Sequence, residues 1–157
     1  DVGDLTVTRY SPAGQSSDAS GYSSGGIPTT NVIDKFPFAS DANATDVGNL
    51  TVGRSSPTGQ SSDVSGYTSG GYTGSGSNVI DKFPFASDTN ATDVGDPTVA
   101  RRNVAGQSSD ASGYTSGGYT GPAYSNVIDK FPFASDANAT DVGDLTVARN
   151  GPAGQQI

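Results

Sequence analysis

Cysteine, histidine, methionine, tryptophan and glutamate are all missing from this 157-residue chain, whose 16 acidic residues are every one Asp. Without His or Cys there is no Ser-His-Asp triad, no thiolate nucleophile, and no zinc or iron site built on nitrogen and sulfur ligands. Any catalysis would fall to Asp, Tyr, Lys or Arg, so an enzyme is not expected. No disulfide framework can form, which leaves the redox compartment open. Positive charge is scarce as well. Eight Lys plus Arg against 16 Asp give a net charge of −8, the wrong sign for following a nucleic-acid backbone, and no DNA or RNA partner is expected. No apolar run approaches the roughly 18 residues of a membrane-crossing helix, so membrane insertion of that kind is not expected. The chain opens inside a repeat and without Met, so the 157 residues are expected to be a fragment, a processed product or part of something longer.

What the chain has is repetition and glycine. The stretch NVIDKFPFASDANATDVG occupies residues 31–48, recurs at 78–95 with Thr89 as its one edit, and returns at 126–143. Copies of DVGDLTV begin at Asp1, Asp46, Asp93 and Asp141, giving spacings of 45, 47 and 48 residues. Periods of that length signal a repeat architecture, here repeats 1–45, 46–92 and 93–140 with a partial copy over 141–157. The length variation falls after the Gly-Gly pair, as IPTT, YTGSGS and YTGPAYS.

Gly, Pro, Ser and Asn punctuate every repeat, and no window places apolar residues at helical spacing, so short strands are predicted. In the second copy they fall near 50–53, 59–62, 66–70 and 78–85. The last of these carries apolar residues on both faces, as a strand in a sheet covered by two neighbours would. Pro84 puts it toward an edge or ends its pairing. The Gly- and Ser-rich SGYTSGG strand suits a place where backbones crowd. One bulky and one slim strand among four describes a β-propeller blade, with this slim strand inward.

The order GQSSDVSGYTSGG, NVIDKFPF, DLTVAR resembles the kelch-type blade across essentially the whole chain. Gly70 and Gly71 match that family's diglycine, Tyr67 its preceding aromatic, and Arg54 or Arg101 its arginine. The Trp usual before that arginine is absent; Leu50 and Leu145 stand in a similar strand, and Pro97 replaces the Leu in one copy, which predicts weaker pairing there. The fold implied is all-β, with kelch-like β-propeller blades of four short antiparallel strands, three full repeats and a partial one. Near-identical arrays of IDKFPFASDANATDVGDLT also look like repeats in structural and tail-fibre proteins of marine cyanobacterial phages. That resemblance implies a non-enzymatic structural or binding module of an extracellular fibre, exposed at a virion surface and used for assembly or host-surface attachment. The alternative is a bacterial cell-surface adhesin or matrix protein of the same repeats. A galactose-oxidase-like enzyme, which shares the blade pattern, lacks here the residues for its copper site.

Three blades do not close a ring of the usual four to eight. Self-association or further repeats of the same protein are therefore expected to cover Phe36, Phe38 and their equivalents at the array ends.

Two loops are candidate sites. The acidic loop places oxygen-bearing side chains at positions 1, 3, 5 and 9: Asp41, Asn43, Thr45 and Asn49; Asp88, Asn90, Thr92 and Asp96; Asp136, Asn138, Thr140 and Asp144. Such spacing suits calcium. Against it, position 6 is Asp where a Gly permits the turn, and no Glu can serve as the bidentate ligand, so a plain structural turn is the favoured reading and no cofactor is expected. Asn43, Asn49, Asn90 and Asn138 also open formal glycosylation acceptors. The variable loops carry Tyr72, Tyr119 and Tyr124 beside Gly, Ser and Thr, a mixture able to stack on the sugar rings of a surface glycan. Lys35, Lys82 and Lys130, beside Asp34, Asp81 and Asp129, read as solvated charge on a strand.

Overall fold

The β-branched and aromatic residues of each VIDKFP segment and the small residues before it form strands, and no helix interrupts them among the described residues, 1–154, of this computed structural model. The first sheet holds β1 (Ala13–Ser16), β2 (Ser20–Ser24), β3 (Val32–Pro37) and β4 (Thr45–Asn49). The second holds β5 (Thr58–Ser61), β6 (Ser65–Ser69), β7 (Ile80–Pro84) and β8 (Thr92–Gly95). The third holds β9 (Ala105–Ser108), β10 (Ser112–Ser116), β11 (Val127–Pro132) and β12 (Thr140–Asp144). Each sheet is antiparallel and its strands lie side by side in chain order. The protein is thus all-β, with three four-stranded sheets that do not close on themselves.

Local chemistry fixes the connections. Between the first two strands, the Ser17 hydroxyl accepts from the Ser20 amide at 3.1 Å, an arrangement repeated by Ser62 with Ser65 and Ser109 with Ser112. Ser favours such turns because its side chain substitutes for a backbone partner. At the end of β6, Gly70 and Gly71 have φ of 63° and 109°, values in the left-handed region that L side chains adopt only under strain. The diglycine is needed for the turn itself.

Two expectations about the strands are corrected. Residues 50–53 are not a strand; the fourth strand is TDVG, which the sequence suggested was a turn. Only the residues before it make the turn, and TDVG pairs with IDK across a β-bulge at Ile80/Asp81. Second, the strand whose backbone meets that of the next sheet is AGQS or TGQS, whereas SGYTS packs on the next sheet through side chains, with the Ser24 and Thr68 hydroxyls 2.7 Å apart. β1 lies against β5 and β5 against β9. A Cβ on Gly59 would overlap the Gly14 carbonyl oxygen, and one on Gly106 the Gly59 oxygen. Glycine is what lets these first strands touch backbone to backbone.

Pro84 ends β7, an interior strand paired on both sides, so of the two positions open to it the termination is the one seen. Pro97 also has a visible effect. The Leu50 and Leu145 amides donate to Asn31 and Asn126 at 2.7 Å. Proline has no N–H to do this, and β8 is a residue shorter than β4 and β12.

The core sits between sheets. Tyr22 and Ile33 from the first repeat meet Leu50, Phe83 and Ala91 from the second, with Val47 and Phe85 packed against them. Tyr67, Ile80, Phe131 and Ala139 make the second joint, with Val94 and Phe133. Tyr22 stacks on Phe85 at 4.9 Å between ring centroids, and Tyr67 on Phe133 at 4.8 Å.

Candidate functional site

The Asp of each VIDKFP strand is fully buried rather than solvated, at Asp34, Asp81 and Asp129 alike, which corrects the reading of this stretch as surface charge. Alternation along the strand buries consecutive residues on opposite faces, the Ile toward the apolar joint and the Asp toward the segment that precedes its own sheet, while the register shift after Ile33, Ile80 or Ile128 leaves one extra residue on the facing strand. That segment brackets it with a Thr and an Arg three residues later. The Thr51 amide and hydroxyl donate to Asp81 at 3.0 and 2.7 Å, and Arg54 Nη2 donates to Asp81 at 2.9 Å and to the Thr68 carbonyl at 2.8 Å. Thr6 and Arg9 hold Asp34, and Thr98 and Arg101 hold Asp129, in the same way. Both partners of each ion pair have side chains at most 1% exposed. Burial pushes the Arg9, Arg54 and Arg101 guanidinium groups below their ordinary pKa, and the adjacent Asp opposes that shift. These groups are consumed in structure. The signal that could have found them is the Arg recurring once per repeat, three residues after a Thr.

Asn90 and Asn138 of the acidic loop also fasten the second and third sheets to the end of the sheet before, and Asn43 fastens the first sheet to the segment that precedes it. Their side-chain oxygens accept from the Asp4, Asn49 and Asp96 amides at 3.0, 3.0 and 3.1 Å. Asp88 pairs with Lys35 at 3.2 Å and Asp136 with Lys82 at 2.9 Å, each bridging adjacent sheets; the Lys82 bond to Asp136 raises the Lys82 pKa. Asp41 lies beside Phe36 and Phe38 on the open face of the first sheet and has no such lysine among the described residues. Thr45 and Asn49 stand at opposite ends of β4, and Thr140 and Asp144 at opposite ends of β12, while Thr92 begins β8 and Asp96 follows it. Four extended residues span about 13 Å, whereas calcium needs oxygens within about 2.6 Å. Among the described residues no cluster of three or more acidic side chains could hold a metal.

The three tyrosines of the variable loops do come together in part. Tyr119 and Tyr124 meet edge to face with centroids 5.9 Å apart, and Tyr124 remains 59% exposed. Tyr72 is drawn in by Arg102, which the sequence did not single out: its guanidinium carbon lies 4.3 Å from the Tyr72 ring centroid and 5.0 Å from that of Tyr119. Backbone bonds hold the pieces, with the Arg102 amide donating to the Tyr119 carbonyl and the Tyr119 amide returning to Arg102. A shallow cavity of about 330 Å³ opens between the two loops, lined by Tyr72, Ser75, Gly76, Arg102, Tyr119 and Thr120 among others.

The end faces are the other feature. On the first sheet Phe38 is 56% exposed and beside it lies a cavity of about 400 Å³ lined by Val2, Leu5, Phe36 and Phe38. On the third, Tyr114, Ile128 and Leu145 are only half-buried where Tyr67, Ile80 and Leu50 are buried. No protein-family model matches the chain, and no curated protein matches it.

Proposed function

We propose that the chain is a non-enzymatic structural and binding module, a run of kelch-like propeller blades from an extracellular fibre such as a phage virion or tail fibre. Its task in this reading is to build by repetition and to present variable loops to a host-surface glycan. The observation that carries the proposal is the reuse of one joint. Tyr22 meets Phe83 and Phe85 as Tyr67 meets Phe131 and Phe133. Gln15 reaches the Tyr67 carbonyl as Gln60 reaches that of Tyr114, both at 2.9 Å.

The two outer faces are the two halves of that joint. Tyr114, Gln107 and Lys130 stand on one, and Phe36, Phe38 and Asp41 on the other. Like sheets are the partners whose chemistry fits, whether from a second copy or from further repeats. Joining two copies requires residues 141–149 of one to replace residues 1–9 of the other, since the latter already brackets Asp34. The two segments differ only at Thr8 and Ala148, so exchange is chemically neutral, as in domain swapping. Light scattering is the test. A mass above 15.7 kDa that rises with concentration is expected; a mass fixed at one chain throughout the micromolar range would overturn self-association.

A further inference from the structure

We infer that Arg102, with Tyr72 and Tyr119, forms a binding site for the carboxylate of an acidic sugar such as a uronic or sialic acid. The inference rests on the reading of the variable loops as a glycan-contacting surface, and names the chemistry they select. The position after the bracketing arginine is Tyr10, Ser55, Arg102 and Asn150 in successive copies, so this second arginine belongs to one repeat only. The scaffold does not need it. Arg9, Arg54 and Arg101 each hold a buried carboxylate, whereas the Arg102 side chain has no hydrogen-bond acceptor among the described residues. Its nitrogens are not among the buried, unpartnered atoms, which leaves its donors facing water.

An arginine stacked on aromatic rings keeps its in-plane N–H fork open and fixed in direction. A fork of that geometry matches a planar carboxylate with two parallel hydrogen bonds. The cavity, about 330 Å³, lies at the lower end of the range for small-ligand sites. Thr120 and Ser75 offer hydroxyls on its lining, and Tyr124, packed edge-on against Tyr119 and 59% exposed, offers a ring face for a pyranose. The net charge of −8 does not prevent this, because charges beyond a Debye length of about 8 Å are largely screened at physiological salt. None of the residues lining the cavity is acidic.

The test is an NMR titration of the full chain with tetragalacturonate, glucuronate, sialic acid and fully methyl-esterified tetragalacturonate. The expected result is a shift of the Tyr72 and Tyr119 ring signals and the Arg102 side-chain N–H with at least one acid, weakening as salt is raised. Esterification, which keeps the rings and removes the charge, is expected to weaken binding at least tenfold, and Arg102→Gln to do the same while the chain keeps its all-β circular dichroism spectrum. Should Arg102→Gln not fold, the acid-against-ester comparison on the unaltered chain decides. Equal binding of acid and ester, or loss-free binding in Arg102→Gln, would overturn the carboxylate site while leaving a glycan surface standing. No response to any of the three acids or to the neutral ester would overturn both.

Discussion

Asp81→Ala is expected to destabilise the protein by about 3–5 kcal/mol, the usual consequence of removing one partner from a buried ion pair. Arg54 would be left 0% exposed with one bond, to the Thr68 carbonyl, since its Nε and Nη1 already lack partners. Thr51 would lose both its bonds in the same change. The segment 50–54 is held on the second sheet largely by these contacts, so its Leu50 would loosen from the first joint. Denaturant unfolding followed by circular dichroism measures the effect. Asp88→Ala supplies the contrast, because its ion pair with Lys35 is half in water and such pairs contribute about 1 kcal/mol or less. Equal costs for the two variants would show that the bracketed carboxylate is not what fastens residues 50–54 to the second sheet.

Truncating the joint aromatics should give the second large effect, and a graded one. Phe83 and Phe131 are each 2% exposed, under the tyrosine of the preceding sheet and against Gly66 and Gly113, where a Cβ would strike the ring. Phe83→Ala and Phe131→Ala are each expected to cost about 3–5 kcal/mol. Phe36 occupies the equivalent place on the first sheet, over Gly21, but among the described residues it has no tyrosine above it and its one ring contact is Phe38, edge-on. Phe36→Ala is therefore expected to cost less, by roughly the 0.5–1.5 kcal/mol of an aromatic pair together with the burial it lacks. The same denaturant series checks it. A Phe36→Ala cost as large as the other two would mean that the end face is already covered in solution.

The repeat length, the strand character of VIDKFP and SGYTS, and the pairing limits at Pro84 and Pro97 were legible because they follow from local rules of periodicity and missing donors. The TDVG strand was not, because Asp and Gly have low strand propensity and only pairing with IDK overrides it. Nor was the burial of Asp34, Asp81 and Asp129, since an Asp beside a Lys on a strand ordinarily faces water. What buries it is an Arg from 25 to 28 residues away, and distance in sequence hides such a partner. For the same reason Arg102 was overlooked while Tyr72, Tyr119 and Tyr124 were noticed: its meaning comes from two rings on separate loops.

In the proposed assembly the outer faces are two halves of the internal joint, open to a like sheet. Carbodiimide coupling with peptide mapping tests it most directly, because it joins only amines and carboxylates already in contact. Lys35 to Asp88 and Lys82 to Asp136 are expected as links within one chain and serve as internal controls. The prediction is a third link, from Lys130 of one copy to Asp41 of another, growing with protein concentration. Formation of the two controls without Lys130 to Asp41, at concentrations where copies associate, would contradict the account.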